Sequence, residues 1–287
     1  MVKVEQLEKS YGDFHLRVSL EIADGRVTGI VGKNGAGKST IIKAILGLIR
    51  PDSGRVTVNG RDAAALSGAE KAGIGVALSD SGFCPYLKTE DVTRILRKTY
   101  SRFDEAFFRR SCAEQGLTPD KQIKDFSTGM RAKLRVLTAI SHGAELLIMD
   151  EPTAGLDVEA RVAVLDLLRQ YLAENERRSI LLTSHISSDL ETLCDDIYLL
   201  HEGQIVLHED TDTILSSYAI LKLDEAAYAA LDKSHILRAK KEPYGYACFT
   251  DEKRYYAENY PGIVIENGSI DDLILMMTGG ASDARAD

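Results

Sequence analysis

No run of apolar residues in this chain approaches the roughly 18–20 needed to span a bilayer, so contact with a membrane is expected only through a partner. The first residues, MVKVEQLEKSYG, have no apolar centre of the kind that marks a secretory signal. Cysteine is sparse: Cys84, Cys112, Cys194 and Cys248 stand far apart, with no CxxC pair and no Cys/His cluster. That argues against a thiolate metal site and fits structural thiols in a reducing compartment. Positive charge is also short. With 35 Lys and Arg against 44 Asp and Glu, the net charge is −9, and the basic footprint of a nucleic-acid binder is missing. No repeats or low-complexity blocks occur. A cytoplasmic protein is the expectation, and 287 residues suffice for one large domain and a small one.

Glycine is concentrated where chemistry can use it. Residues 32–40 read GKNGAGKST, in which Gly32 and Gly37 enclose four residues and are followed by Lys and Ser. Such glycines let the backbone N–H groups of Asn34, Gly35, Ala36 and Gly37 turn inward around phosphates. Lys38 adds a point charge at the outer phosphates, Ser39 offers a hydroxyl to Mg²⁺, and Thr40 continues the site. The preceding run, Arg26 to Val31, is short and apolar, as a buried parallel strand should be. The following run, Thr40 to Ile49, has apolar residues at helical spacing, which puts the phosphates at a helix N-terminus. A second run, Leu146 to Met149, is apolar throughout and predicts a strand covered on both faces. It ends in Asp150, placed to hold Mg²⁺, and Glu151, placed to polarise an attacking water. Ser127 has the chemistry of a helix cap ahead of a helical stretch from Arg131 to His142.

Phe126-Ser127-Thr128-Gly129-Met130 resembles the signature loop of ATP-binding cassette (ABC) ATPases, whose common form is L-S-G-G-Q. It stands about twenty residues before the acidic strand, the spacing that family uses. Tyr11 stands where the family places an aromatic ring against adenine. Ala154-Gly155-Leu156-Asp157 resembles the loop that crosses the dimer interface. His185, in Thr183-Ser184-His185, resembles the switch histidine that contacts the γ-phosphate. Alone, a hairpin tyrosine is more often packing and a histidine after a strand more often a polar strand end. The order and spacing of six motifs between about Val2 and Thr213 overturn those priors.

The resemblance implies an α/β fold: a P-loop NTPase of the ABC type, with a RecA-like parallel sheet, an antiparallel β subdomain and a helical subdomain. The cassette is expected over residues 1–213, with the helical subdomain at about 80–142. A small α/β accessory unit is expected over 214–278 and a disordered tail over 279–287. ATP and Mg²⁺ are the implied cofactors, with Glu151 and His185 catalytic. Ser127, Thr128 and Gly129 would serve the ATP of a second nucleotide-binding domain, the same chain or a close homologue, with Asp157 at the interface. The family pattern breaks in two places. Ser79 stands where the Q-loop has glutamine, leaving Ser79 or Asp80 to contribute to the metal site. Thr128 and Met130 replace Gly and Gln in the signature loop.

The string Ser184-His185-Ile186-Ser187-Ser188-Asp189-Leu190-Glu191 and the segment Ser101–Phe107 resemble ATPases of ABC-2-type exporters with separate permease chains. These include exporters of antimicrobial or cytolytic peptides in Gram-positive bacteria, such as the phenol-soluble modulin exporter. The implied partner is a membrane permease, docked near Phe83 or Tyr86, and the implied location is the inner face of the cell membrane. The alternative is a soluble ABC ATPase acting on ribosomes or nucleic acid. Single-cassette architecture, no long coiled coil between Lys38 and Asp150, and the acidic balance weigh against it.

Overall fold

The computed structural model describes residues 1–79 and 82–279. The expectations for Asp80 and for the tail beyond Gly279 lie outside the described residues. β1 (Val2–Tyr11) and β2 (Phe14–Ile22) form an antiparallel hairpin whose tip pairs Tyr11 with Phe14. β2 alternates buried and exposed side chains, as a sheet with one wet face requires. β3 (Val27–Val31) is buried at every residue and leads through the glycine loop into α1 (Lys38–Ile45). That helix is shorter than the periodicity predicts: Gly47, at φ 64°, turns the chain, and Leu48 N–H returns to Lys43 O at 2.8 Å. β4 (Ser53–Val58), β5 (Arg61–Asp62) and the single turn α2 (Gly68–Lys71) lead to β6 (Ile74–Ala77).

α3 (Thr89–Thr99), α4 (Glu105–Glu114) and α5 (Thr128–Ile140) pack around the fully buried Phe108. α5 starts three residues before the expected helix because Ser127 Oγ accepts the Met130 N–H at 3.2 Å and caps the first turn. β7 (Leu146–Asp150) and β8 (Ser179–Thr183) are buried throughout and run parallel to β3. α6 (Val158–Ala173) joins them, and α7 (Ser187–Leu193) leads to β9 (Asp196–His201) and β10 (Gln204–Asp210). The result is one sheet of ten strands in the order β5-β4-β1-β2-β10-β9-β3-β8-β7-β6. The strands β5-β4-β1-β2 join the rest through one pair, Gln204 of β10 with Arg17 of β2, and β9 is antiparallel to β10 and parallel to β3.

Beyond α8 (Thr211–Ser217), a second sheet forms from β11 (Ala219–Leu223), β12 (Ile236–Glu242), β13 (Gly245–Thr250) and β14 (Val264–Asn267), in the order β12-β13-β11-β14. α9 (Glu225–Ala230), α10 (Lys253–Asn259) and α11 (Ile270–Thr278) accompany it. The main core does not stop at residue 213. Phe249, Ile270, Leu273 and Met276 are buried in the same cluster as Val31, Leu190 and Ile197. Among the described residues, no helix is long and apolar enough to cross a membrane.

That shared core generates a prediction. Leu273→Ala, at a fully buried position, should cost about 2–5 kcal/mol and shift one cooperative unfolding transition. Two thermal transitions, with only the smaller displaced, would show instead that residues 214–279 fold alone.

Candidate functional site

The C-terminal ends of β3, β8 and β7 lie side by side, because Ile30 pairs with Thr183 and Thr183 with Asp150. Such ends are where parallel sheets present ligand-binding groups. Asp150 is nearly buried, and two hydroxyls hold its carboxylate: Thr183 Oγ1 donates to Oδ1 at 2.6 Å and Ser79 Oγ donates to Oδ2 at 3.1 Å. Among the described residues no ion pair engages it. A buried carboxylate bonded by hydroxyls and held in no direct ion pair is an oxygen donor of the kind that suits Mg²⁺.

Glu151 turns the chain at φ 52°, in the left-handed region that an ordinary side chain enters at a cost of about 1–3 kcal/mol. Its N–H is held by Thr183 O at 3.0 Å and Thr183 Oγ1 at 3.2 Å. Its carboxylate Oε2 accepts the His185 N–H at 3.2 Å and lies 2.6 Å from His185 Nδ1. Glu151 and His185 are therefore in direct contact, and Thr183, quoted in the sequence only as a neighbour of the histidine, touches both carboxylate residues.

The glycine loop meets its end of the sheet tightly. Gly37 precedes α1 at φ 115°, and a side chain there would press on Leu16 and Phe14. No side chain caps α1 and no acidic residue sits in its first turn, so its N-terminus suits an anion. Lys38 Nζ donates to Gly32 O at 2.6 Å and reaches Lys33 O at 3.4 Å, spanning its own loop. Burial lowers the Lys38 pKa from its ordinary value, while the charges of Glu151 and Asp150 oppose that shift. Asn34, Gly35 and Ala36 border a cleft of about 740 Å³ together with Phe14, His15 and Thr278. Tyr11 is half exposed at the hairpin tip, with Lys9 Nζ 5.6 Å from its ring centroid. Phe14, on the same face, is the ring that touches the phosphate loop.

Ser127 and Thr128 are exposed on the first turn of α5. Gly129 has a packing reason beyond access: a Cβ there would lie 2.7 Å from Ala160 Cβ on α6. Asp157 caps α6, accepting the Ala160 N–H at 2.8 Å. Behind it Asp189, 1% exposed, takes Thr153 Oγ1 and Arg161 Nε, the latter at 2.5 Å. Arg135 Nη1 donates to Leu78 O and Ser79 O, both at 3.1 Å, so α5 grips the strand end that carries Ser79. Sequence alone assigned Arg135, Thr183 and Asp189 no role of their own, since each matters through a partner brought by the fold.

A sequence profile of the ABC transporter family matches residues 16–154. The lantibiotic transport ATP-binding protein SrtF of Streptococcus pyogenes is 32% identical over 216 residues, covering 74% of this chain and 92% of that protein. The Nod factor export ATP-binding protein I of Mesorhizobium japonicum is 28% identical over 296 residues, covering 94% of this chain and 84% of its own length. A solved ATP-binding subunit of an ABC transporter superposes with a TM-score of 0.67 at 28% identity, covering 75% of this chain and 91% of that one. The chain belongs to the ABC transporter family, as one of its ATP-binding, ATP-hydrolysing subunits.

The Thr183 contacts make a test. Thr183→Val keeps the shape but removes the hydroxyl shared by Asp150 and Glu151. The Mg²⁺ concentration for half-maximal ATPase activity should rise about 10–100-fold, and an unchanged Mg²⁺ titration would exclude Thr183 from the site.

Proposed function

We propose that this chain powers an exporter of the ABC-2 type, with two such subunits closing around two ATP molecules. The observation that carries the reading is the arrangement of Asp150, Glu151 and His185 at adjoining strand ends, facing Lys38 across the loop. In this reading the backbone of Asn34 to Gly37, with Lys38 and Thr40, cradles the phosphates. Mg²⁺, held by Ser39 and Asp150, supplies charge neutralisation at the phosphate oxygens when bound. Ser79 orients the Asp150 carboxylate. Glu151 accepts the proton of the attacking water, and its fixed backbone keeps the carboxylate from swinging away. His185 exchanges its Glu151 contact for the γ-phosphate.

Ser127, Thr128 and Gly129 belong to a helix N-terminus, and such termini stabilise negative charge. Exposed Ser127 and Thr128 are free to meet the ATP of a second subunit, and exposed Val158 beside Asp157 gives that contact an apolar edge. The sandwich is thereby tied to the triphosphate: its charge is compensated only when both halves close, and hydrolysis removes the difference.

A permease partner is supported by the surface beside Ser79. Phe83, with Gly82, Ile123 and Arg131, borders a groove of about 280 Å³, and Tyr86 stands 70% exposed nearby. Association with the membrane then comes through that permease. Peptide cargo is supported by the likeness to a lantibiotic transport subunit and by the exporter-like strings at 184–191 and 101–107.

One experiment tests the core of this reading. Glu151→Gln should lower ATP turnover by about 10²–10⁴-fold while ATP binding survives, and light scattering should find the variant dimeric in ATP. Adding Ser127→Arg should return it to a monomer with the fold intact. Wild-type turnover in Glu151→Gln, or a dimer that persists with Arg at 127, overturns the assignment.

A further inference from the structure

The helix α11 is joined to both sides of the nucleotide site. At its N-terminus, Ile270 N–H donates to Glu191 Oε1 of α7 at 3.1 Å, and Asp271 accepts a hydrogen bond from Ser187 Oγ of the same helix. Ser187 is the second residue after His185. At its C-terminus, Thr278 O accepts from Lys33 Nζ at 2.8 Å, and Lys33 is the second residue of the glycine loop. Nine residues of helix span about 13 Å, enough to bridge the two. The charges suit the helix dipole, with carboxylates of Glu191, Asp271 and Asp272 at the positive end and the Lys33 ammonium at the negative end. The face between is anchored: Ile270, Leu273 and Met276 are buried in the main core. A rigid element thus has one end on the helix that follows the switch histidine and the other on the phosphate loop.

We propose that Lys33 and Asp271 are positioning residues for ATP hydrolysis, and that α11 couples the phosphate loop to the helix behind His185. Lys33 and Thr278 both border the cleft beside Asn34 to Ala36, so loss of the ammonium leaves the negative end of the α11 dipole uncompensated at the edge of that cleft. By linkage, if α11 biases the loop, nucleotide on the loop must bias α11 to the same degree. The inference rests on the reading that ATP sits on the 32–40 loop.

The test is hydrogen exchange of the full chain with and without ATP and Mg²⁺, in a Glu151→Gln background that holds the nucleotide. Wild-type Lys33 should give ATP-dependent slowing at the phosphate loop and in residues 274–279. Lys33→Met should keep slowing at the loop but lose it in 274–279, and should weaken ATP binding about 5-fold or more; Lys33→Arg should restore both. In the chain with native Glu151, Asp271→Ala should lower kcat by a similar factor with little change in KM, a split that general destabilisation would not give. Slowing at the loop with none in 274–279, or the same response in Lys33→Met as with Lys33, overturns the coupling alone. No slowing at the loop overturns the nucleotide site, and the coupling with it.

Discussion

The Asp150 carboxylate is the charge around which the site is arranged. It is almost out of water, and a carboxylate in that position is stable only when its lone pairs are engaged. The two hydroxyls that engage it come from different neighbours, Thr183 at the end of β8 and Ser79 just past β6. Those strands flank β7 on either side, so satisfying one carboxylate pins three strand ends at one level. The same threonine takes the N–H of Glu151 and fixes the turn that places Glu151 beside His185. The left-handed backbone at Glu151 is therefore the consequence of sheet register, held by main-chain and side-chain bonds together. A glutamate on a free loop would lose that orientation to rotation.

The remaining motifs are linked to this centre through α5, α6 and α7 rather than standing alone. α5 lies on α6 so closely at Gly129 that a methyl group would collide with Ala160. Asp157 starts α6, and four residues on, Arg161 reaches Asp189 on α7, which also holds Thr153 behind Glu151. The buried Asp189 charge is paired and bonded on both oxygens, the condition under which a buried ion pair is tolerated. A shift of α7 thus cannot leave the Glu151–Thr153 turn unaffected.

Sequence made the strand before Asp150 legible because burial on both faces favours an unbroken apolar run, as in Leu146 to Met149. It made the glycine loop between β3 and α1 and the Ser127 cap legible because both are local. What it did not reveal depends on residues distant in the chain. Ser79 reads as a loss when set against glutamine, until β6 is seen to pair with β7 and bring it to Asp150. Arg135 reads as one charge on an amphipathic helix, although it is half-buried and its burial disfavours the ion. Burial of α11 in the same core as Leu190 and Val31 was hidden because residues 214–278 read as a separate unit. β14 takes the edge of its sheet, where Val264 and Ile265 are its two apolar residues.

The serine in place of glutamine changes how a signal can pass, on the proposed reading of the site. A glutamine touches the metal through a long, rotatable side chain and can release it. Ser79 is short and bonds the metal-bearing carboxylate itself, while Arg135 holds its carbonyl from behind. Any movement of Asp150 is then felt by the Ser79 backbone directly, and by α5 through a charged guanidinium bonded to two successive carbonyls. Hydrogen bonds from a charged donor in a partly desolvated setting are stronger than neutral ones, so this linkage is stiff. α5 is also the helix whose first turn carries Ser127. In this chain Asp150, Ser79 and Arg135 of α5 are joined by hydrogen bonds in series, and Ser127 caps that same helix.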